Sequence, residues 1–388
     1  MHLVDTTLFF SPTGGGVKRY LLEKHAWLAA HTSWRHSILV PGATQSLVPG
    51  SVCTIRGGVI PRAFNYRLPL SPARWIRLLD RLEPDLIEVA DAFHPAWCAA
   101  SVARRRGIPA VAFFHSNLPE LVGRRLGAPT ERVLGRYLRW LYERFDLVFA
   151  PSREMCAYLA SFGVRHTVQQ PLGVDANVFS PVHRKTDLRQ RLGLPPDTRL
   201  LVYAGRFAGE KNLPVLMQTF ARLGEPYHLL LIGSDRSARP QSNVTMVPYR
   251  RDSVELAEWL ASCDALVHAG TQETFGLVLI EAMACGRPVV GVRAGSVPEL
   301  IEPSVGLLAE PNDPASLAEA VAALYERDLD AMGQTARARV LERFTWGQAF
   351  ERQMAAYASV LAGAPRADFT AAPSRHAPVP PAQPSTSS

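Results

Sequence analysis

The chain has 388 residues, 47% of them hydrophobic, with 42 Lys+Arg against 35 Asp+Glu. Its length predicts two domains and its apolar content fills two cores, which excludes a chain disordered throughout. No uncharged apolar run reaches the ~18–20 residues of a membrane-spanning helix, the opening Met1-His2-Leu3-Val4-Asp5 has no basic leader segment, and the five scattered cysteines form no C-x-x-C pair. A cytoplasmic protein with reduced thiols is therefore expected. The charge is uneven. Residues 1–170 carry 21 Lys+Arg and 12 Asp+Glu, a balance of +9, while residues 171–388 carry 21 and 23, a balance of −2. A basic half suits nucleic acid, anionic lipid or an anionic substrate.

In chain order, apolar runs predict strands at 2–10, 36–40, 85–90, 108–114 and 146–150. Helical spacing predicts helices over 17–31, 72–82 and 131–145 between them. Gln170 through Pro181 reads as a connector, and 186–192 as a short helix. Further strands are predicted at 200–204, 228–232, 265–268 and 288–292. Near-continuous Val/Ile/Leu strands separated by helices argue for parallel sheets covered on both faces, so each half is predicted to be a doubly wound α/β domain. The end of the chain has six prolines among Ala, Ser and Thr. It is expected to be disordered.

Ligands of open α/β sheets bind beyond the carboxyl ends of the strands. Five such places carry suggestive residues. After the first strand comes Ser11-Pro12-Thr13-Gly14-Gly15-Gly16-Val17-Lys18-Arg19. Its glycines let backbone amides approach an anion at a helix start, or simply make a tight turn. Gly205-Arg206-Phe207-Ala208-Gly209-Glu210-Lys211-Asn212 supplies two cations that would flank a diphosphate or sit in a solvated turn. From His268 to Gly286, Glu273 lies in a loop and a helix is predicted to begin near Thr274–Gly276. Glu281 then falls inside that otherwise apolar helix, where a buried carboxylate needs a partner such as a ribose diol. His115-Ser116-Asn117 ends an apolar strand as candidate cleft lining, a structural His being the alternative. Asp91, after Glu88-Val89-Ala90, either faces the same cleft or caps a helix. The pair Asp328-Leu-Asp330 lies between helices rather than after a core strand and is set aside as a metal motif. No zinc spacing occurs, and Ser116 has no nucleophile elbow.

Together these segments resemble the family four retaining GT-B glycosyltransferases, also called glycosyl transferases group 1. The likeness is carried by Gly14-Gly15-Gly16, His115 and the Pro171-Leu-Gly-Val-Asp175…Phe179-Ser-Pro181 connector. It continues with Gly205-Arg206-x4-Lys211-Asn212 and Glu273-x7-Glu281, then Ala-Met-Ala-Cys-Gly-Arg-Pro-Val-Val, and spans nearly all of residues 1–362. It implies two Rossmann-like domains facing across a cleft. Residues 1–170 would bind acceptor and 171–346 the nucleotide sugar, while 347–362 would form a helix crossing back to the first domain and 363–388 the tail. The resemblance further implies that Arg206 and Lys211 bind the donor diphosphate, with Gly15 and Gly16 closing from the first domain. Glu273 and the amides of Phe275, Gly276 and Leu277 would meet the donor sugar, Glu281 the ribose, and His115 the sugar's acceptor side. One departure is Gly233-Ser234-Asp235-Arg236, where family members often have a glycine-rich turn.

Such chemistry needs no metal or cofactor, because fixed cations and helix-start amides stabilise the charge that grows on the leaving diphosphate. The family likeness favours GDP-mannose as donor, with UDP-glucose or another UDP-sugar next, and a lipid-linked or oligosaccharide acceptor. A sugar phosphorylase would need a further cation, and a non-catalytic nucleotide-sugar-binding subunit would not need all of Arg206, Lys211, Glu273 and Glu281. Nucleic acid is suggested only by the pI of about 9.3, without a stacking platform, and is not expected as a partner. From Arg124 to Arg144 there are six Arg and two Glu. Leu134, Tyr137, Leu138, Leu141 and Phe145 recur there at helical spacing among Arg132, Arg136, Arg139, Trp140 and Glu143. That stripe either packs on the sheet or docks the protein on the anionic inner leaflet of a membrane.

Overall fold

Strands buried on both faces can satisfy their backbone only in sheets roofed by helices, and both halves of the chain do this. The computed structural model describes residues 1–10, 15–60, 66–69, 71–233, 241–248 and 252–363. Gly14, the turn 234–236 and the tail from 364 onward, all singled out above, lie outside these residues. The first sheet is all parallel, in the order Val52–Arg56, Arg35–Gly42, His2–Thr6, Leu86–Val89, Ala110–Phe113, Leu147–Ala150, Thr167–Gln169. The second runs Val244–Val247, Tyr227–Ile232, Arg199–Ala204, Ala265–Val267, Val289–Val292, Gly306–Ala309. Strand order reverses beside His2–Thr6 in one sheet, where Leu3 pairs with both His36 and Leu86, and beside Arg199–Ala204 in the other. Those reversals open the two crevices that form the cleft.

The first strand is shorter than its apolar run, 2–10, predicts. At Thr7 the chain turns aside, because the Thr7 hydroxyl and the Leu8 amide both donate to Asp91, at 2.9 and 2.6 Å. The helix predicted over 131–145 starts earlier and ends earlier, at Ala128–Tyr142. Its apolar stripe is spent inward: Leu138, Leu141 and Phe145 are fully buried in the first core. Its exposed residues between 131 and 145 are Arg132, Val133, Arg136, Arg139, Trp140, Glu143 and Arg144. No helix among the described residues is long and apolar enough to cross a membrane.

Helix Trp346–Leu361 crosses back onto helix Gly16–His31, beginning at a capping box of Thr345 and Gln348. Its entry lies against the connector, where Val174 N donates to Phe344 O at 2.9 Å. Gly173 has no room for a side chain there, since a Cβ would stand 2.6 Å from Trp346 N. The helix is fastened by buried charge. Lys24, 1% exposed, donates to Asp5 at 2.9 Å and Glu88 at 2.8 Å, and reaches the hydroxyls of Tyr20 and Tyr357. Gln353 donates to Glu88 at 2.9 Å and Tyr357 donates to the same carboxylate. His36 completes the group, 2.6 Å from Asp5. Burial lifts Glu88 above the usual carboxylate range, whereas Lys24 and His36 overcome burial at Asp5 and hold it below.

Candidate active site

Strands Arg199–Ala204 and Ala265–Val267 are neighbours, so the loops beyond their carboxyl ends lie side by side. The first loop brings Arg206 and Lys211; the second brings His268 and Glu273. Lys211 pairs directly with Glu273, and His268 Nε2 lies 2.8 Å from the same carboxylate oxygen. Burial opposes ionisation here, yet Lys211 and His268 hold the Glu273 carboxyl well below its usual range. The peptide of Glu273 is fixed as well, for Ser296 donates to its carbonyl from both N and Oγ at 3.0 Å. Gly295, at φ 54°, permits this approach: a Cβ there would meet the Glu273 carbonyl oxygen at 2.7 Å. Glu273 is thus an anion and a fixed hydrogen-bond acceptor. Arg206 stands 3.8 Å from Glu210, and across the cleft its charge offsets the rise that burial imposes on the Tyr66 phenol.

Two helix starts converge on this point from opposite halves. Helix Leu277–Ala284 begins at Gly276, φ 95°, with no side-chain cap and no acidic residue in its first turn. Helix Gly16–His31 begins at Gly15 in the same undressed way. They touch: a Cβ on Gly16 would stand 2.9 Å from Leu277 Cδ1, while space is open around Gly15. First-turn amides have no intrahelical acceptor and carry the positive end of the helix dipole. Phe275 is buried beneath them.

Glu281 is buried, as its apolar helix predicts, but its partner in the structure is Arg19 of the first half. Sequence reasoning missed this use of Arg19. His115 is stacked on Phe113, with ring centroids 3.9 Å apart, and the tilted ring of Tyr20 lies 4.8 Å away. Burial, assisted by the Lys24 charge, pushes the imidazole down to about 3, so it is neutral at physiological pH. Among the described residues its Nε2 is buried without a hydrogen-bond partner. The His115 carbonyl accepts from Thr274 Oγ1 at 3.0 Å, which joins it to the residue after Glu273.

The other first-half candidates build the loops instead. Asp91 neither caps a helix nor points free into the cleft; its oxygens take the Thr7 hydroxyl and the amides of Leu8 and Phe93. Asn117 caps helix Leu118–Leu126 and donates to Glu120 at 2.7 Å. Ser116 is half-buried beside it, its carbonyl accepting from Leu118 N. Asp328 caps helix Leu329–Arg343 through Ala331 N. Two further bridges across the cleft had no local signal. Arg124 donates to Thr271 at 3.0 Å, and Glu299 accepts the first amides of helix Arg153–Ser161, at 3.0 and 2.8 Å. Among the described residues no group of His, Cys, Asp and Glu is arranged to hold a metal.

Two facing parallel-sheet α/β units with paired helix starts between them define the GT-B architecture. Sucrose-phosphate synthase from Thermosynechococcus elongatus shares it at a TM-score of 0.78 and 22% identity, over 94% of this chain and 100% of that one. Anabaena HepE, solved with UDP and glucose, shares it at 0.72 and 20%, over 92% and 99%. Residues 14–178 match Glycosyltransferase Family 4 and residues 198–327 match Glycosyl transferases group 1. D-inositol 3-phosphate glycosyltransferase 1 of Catenulispora acidiphila is 30% identical over 403 residues, 90% of this chain and 92% of that protein. The GDP-mannose-dependent alpha-(1-6)-phosphatidylinositol dimannoside mannosyltransferase of Mycobacterium tuberculosis is 29% identical over 372 residues, 92% and 95% of the two chains. The chain belongs to this family of glycosyltransferases.

Proposed function

We propose that the protein is a retaining, metal-independent hexosyltransferase that takes a sugar from a nucleotide-sugar donor, GDP-mannose by preference, and moves it to a hydroxyl of a lipid-linked or glycan acceptor. A UDP-sugar is the alternative donor. The observation that carries the reading is the convergence of two uncapped helix starts with Arg206, Lys211 and Glu273. The GDP-mannose dependence of the mannosyltransferase relatives supports GDP-mannose. In this reading residues 171–346 hold the donor and residues 1–170 the acceptor. As the sugar–phosphate bond lengthens, the sugar gains oxocarbenium character and charge gathers on the leaving diphosphate. Arg206, Lys211 and the amides near Gly16 and Leu277 stabilise that charge most when it is largest. Glu273 accepts from hydroxyls of the donor sugar, Glu281 beside Arg19 takes the ribose, and neutral His115 lines the acceptor side. Attack comes from the front face, and the leaving phosphate oxygen takes the acceptor proton. The exposed Arg132, Val133, Arg136 and Trp140 would let the enzyme dock on the inner leaflet, where a lipid-linked acceptor lies.

The test is a thermal-shift screen of nucleoside diphosphates followed by nucleotide release from GDP-mannose and UDP-glucose with and without EDTA. A saturating ligand at about 100 Kd adds about 2.7 kcal/mol of stability. GDP is expected to stabilise more than UDP, and release to persist in EDTA. Stabilisation by neither nucleotide rejects the donor site, and abolition by EDTA rejects the metal-independent mechanism.

A further inference from the structure

Lys211 has two duties that one ammonium cannot perform at once. In this structure it pairs with Glu273. On the proposed function it belongs to the donor diphosphate, while Glu273 turns to the donor sugar. Filling the site therefore breaks the pair and leaves a mostly buried carboxylate without its cation. Stranding one partner of a desolvated pair is costly, so a second donor is needed within reach of Glu273. His268 stands there. It lies just beyond strand Ala265–Val267, its amide donating to the Val290 carbonyl at 2.8 Å, and it is 1% exposed. Its Nε2 is 2.8 Å from Glu273 Oε1, the same oxygen that Lys211 holds. Two donors crowd one oxygen, and among the described residues neither ring nitrogen completes an aligned hydrogen bond. A buried imidazole is seldom left in that condition, and its surroundings keep it there. The ring lies parallel to that of Tyr203, with 5° between planes and centroids 6.0 Å apart. The Tyr203 hydroxyl in turn donates to the Arg206 carbonyl at 3.1 Å. Gly270 leaves Nε2 its space, since a Cβ there would stand 2.6 Å from it. Thr271 N donates to Glu210 O at 3.3 Å and ties the two loops together. Lys211 holds Glu273 from the end of a flexible four-carbon stem, whereas the imidazole is fixed in place. Of the two donors, Lys211 is the one that can leave.

We propose that His268 is a positioning residue that takes over the Glu273 carboxylate when the donor diphosphate draws Lys211 away. With the ammonium gone, Oε1 turns onto the imidazole N–H and accepts a full hydrogen bond. The carboxylate keeps a partner in its buried place, and its second oxygen is left for a hydroxyl of the donor sugar. One exchange thus lowers the cost of binding the diphosphate and sets the orientation of Glu273. This rests on the proposed function for the diphosphate at Lys211.

Wild type, His268→Phe, Glu273→Gln and the double variant are titrated calorimetrically with GDP, or with UDP where GDP does not bind. Phe keeps a ring against Tyr203 and removes the donor. His268→Phe is expected to weaken nucleotide binding about tenfold or more with Glu273 in place, and by less than about twofold in the Glu273→Gln background, where no anion is stranded. Lost packing alone would cost the same in both backgrounds. His268→Gln, which keeps an N–H near the position of Nε2, should bind within about threefold of wild type. In wild type carrying isotope-labelled histidine, the imidazole nitrogen resonances of His268, identified by their absence from His268→Gln, should shift as nucleotide is added. That measurement decides the matter even where the Phe variant does not fold. Equal losses in the two backgrounds, a Phe variant within about twofold of wild type, a Gln variant as weak as the Phe variant, or resonances unmoved by bound nucleotide would each overturn the proposal. If wild type binds neither GDP nor UDP, the donor reading itself fails and the proposal falls with it.

Discussion

Replacing Lys24 with Met removes the single cation that sits between two fully buried carboxylates. Met keeps most of the side-chain volume, so the loss is electrostatic rather than a cavity. Asp5 retains His36, and Glu88 retains donors from Tyr20, Tyr357 and Gln353, but no ammonium balances their charge. Breaking one partner of a buried pair costs about 3–5 kcal/mol. Against a total of about 5–15 kcal/mol that is a large fraction of the stability of the first half. Lys24→Met should therefore move the first urea transition by that amount, followed by tryptophan fluorescence. It should also speed proteolysis within helix Trp346–Leu361, which leans on this cluster. The companion Lys24→Met/Glu88→Gln removes one stranded charge and should recover about 1 kcal/mol or more. A loss below about 1 kcal/mol for Lys24→Met, or a double variant no more stable than the single, would refute the reasoning.

On the proposed function Lys211→Ala removes a contact that strengthens as the diphosphate leaves, and turnover should drop about 10–150-fold, equivalent to ~1.5–3 kcal/mol; steady-state nucleotide release checks it, and activity within about twofold of wild type rejects the clamp. His115 is held neutral in the fold while it protonates near pH 6.5 in the unfolded chain. Its contribution to stability is thus present above about pH 6.5 and is lost as pH falls below it, by up to ~1.4 kcal/mol per pH unit; His115→Asn should flatten the pH 5–7 profile of denaturant midpoints by about that slope, and an unchanged profile excludes the buried neutral ring. Arg132→Glu/Arg136→Glu should lower co-sedimentation with anionic vesicles at low salt, at about 1 kcal/mol per lost cation, without changing melting; equal partitioning of variant and wild type discards this face as a docking surface.

Where burial acts on both faces, sequence shows it. The central strands His2–Thr6, Leu86–Val89, Ala110–Phe113, Ala265–Val267 and Val289–Val292 each sit within a predicted apolar run, and Arg199–Ala204 exceeds its run by one residue. In the two large sheets the strands that no run announced, Val52–Arg56, Thr167–Gln169, Val244–Val247 and Gly306–Ala309, are the four edges; the two-stranded sheet of Gly58–Val59 and Arg67–Leu68 is unannounced as well. An edge strand is covered on fewer sides, so Val52 and Thr54 in one, and Leu307 and Leu308 in another, are only half-buried and their composition is not selected for apolarity. The site divides in the same manner. Arg206 with Lys211 lie on one loop, and Glu273 with Glu281 on a loop and the helix that follows it, so their residue types and spacing are local. Arg19 with Glu281, Thr274 with His115 and Glu299 with the helix at Arg153 join residues more than a hundred positions apart. Each end taken singly is an ordinary polar side chain, and only the closure of two sheets upon each other makes them partners.

The two halves meet along seams of opposite character. Beside the connector the seam is the Lys24 cluster, whose charges have no access to water and whose parting would strand them. Besides the Arg19–Glu281 pair, the seam at the lips of the cleft has, among the described residues, Thr274 on the His115 carbonyl, Arg124 on Thr271, and Glu299 on two amides. Each of these groups exchanges its partner for water at a net cost of about 0.5–1.5 kcal/mol. Solvation thus gives the molecule a spine and a mouth. On the proposed function, parting of the lips while the spine holds would let donor enter and nucleotide leave from the side facing away from the connector. The rate of that exchange should follow the strength of the lip contacts rather than the chemistry of the sugar.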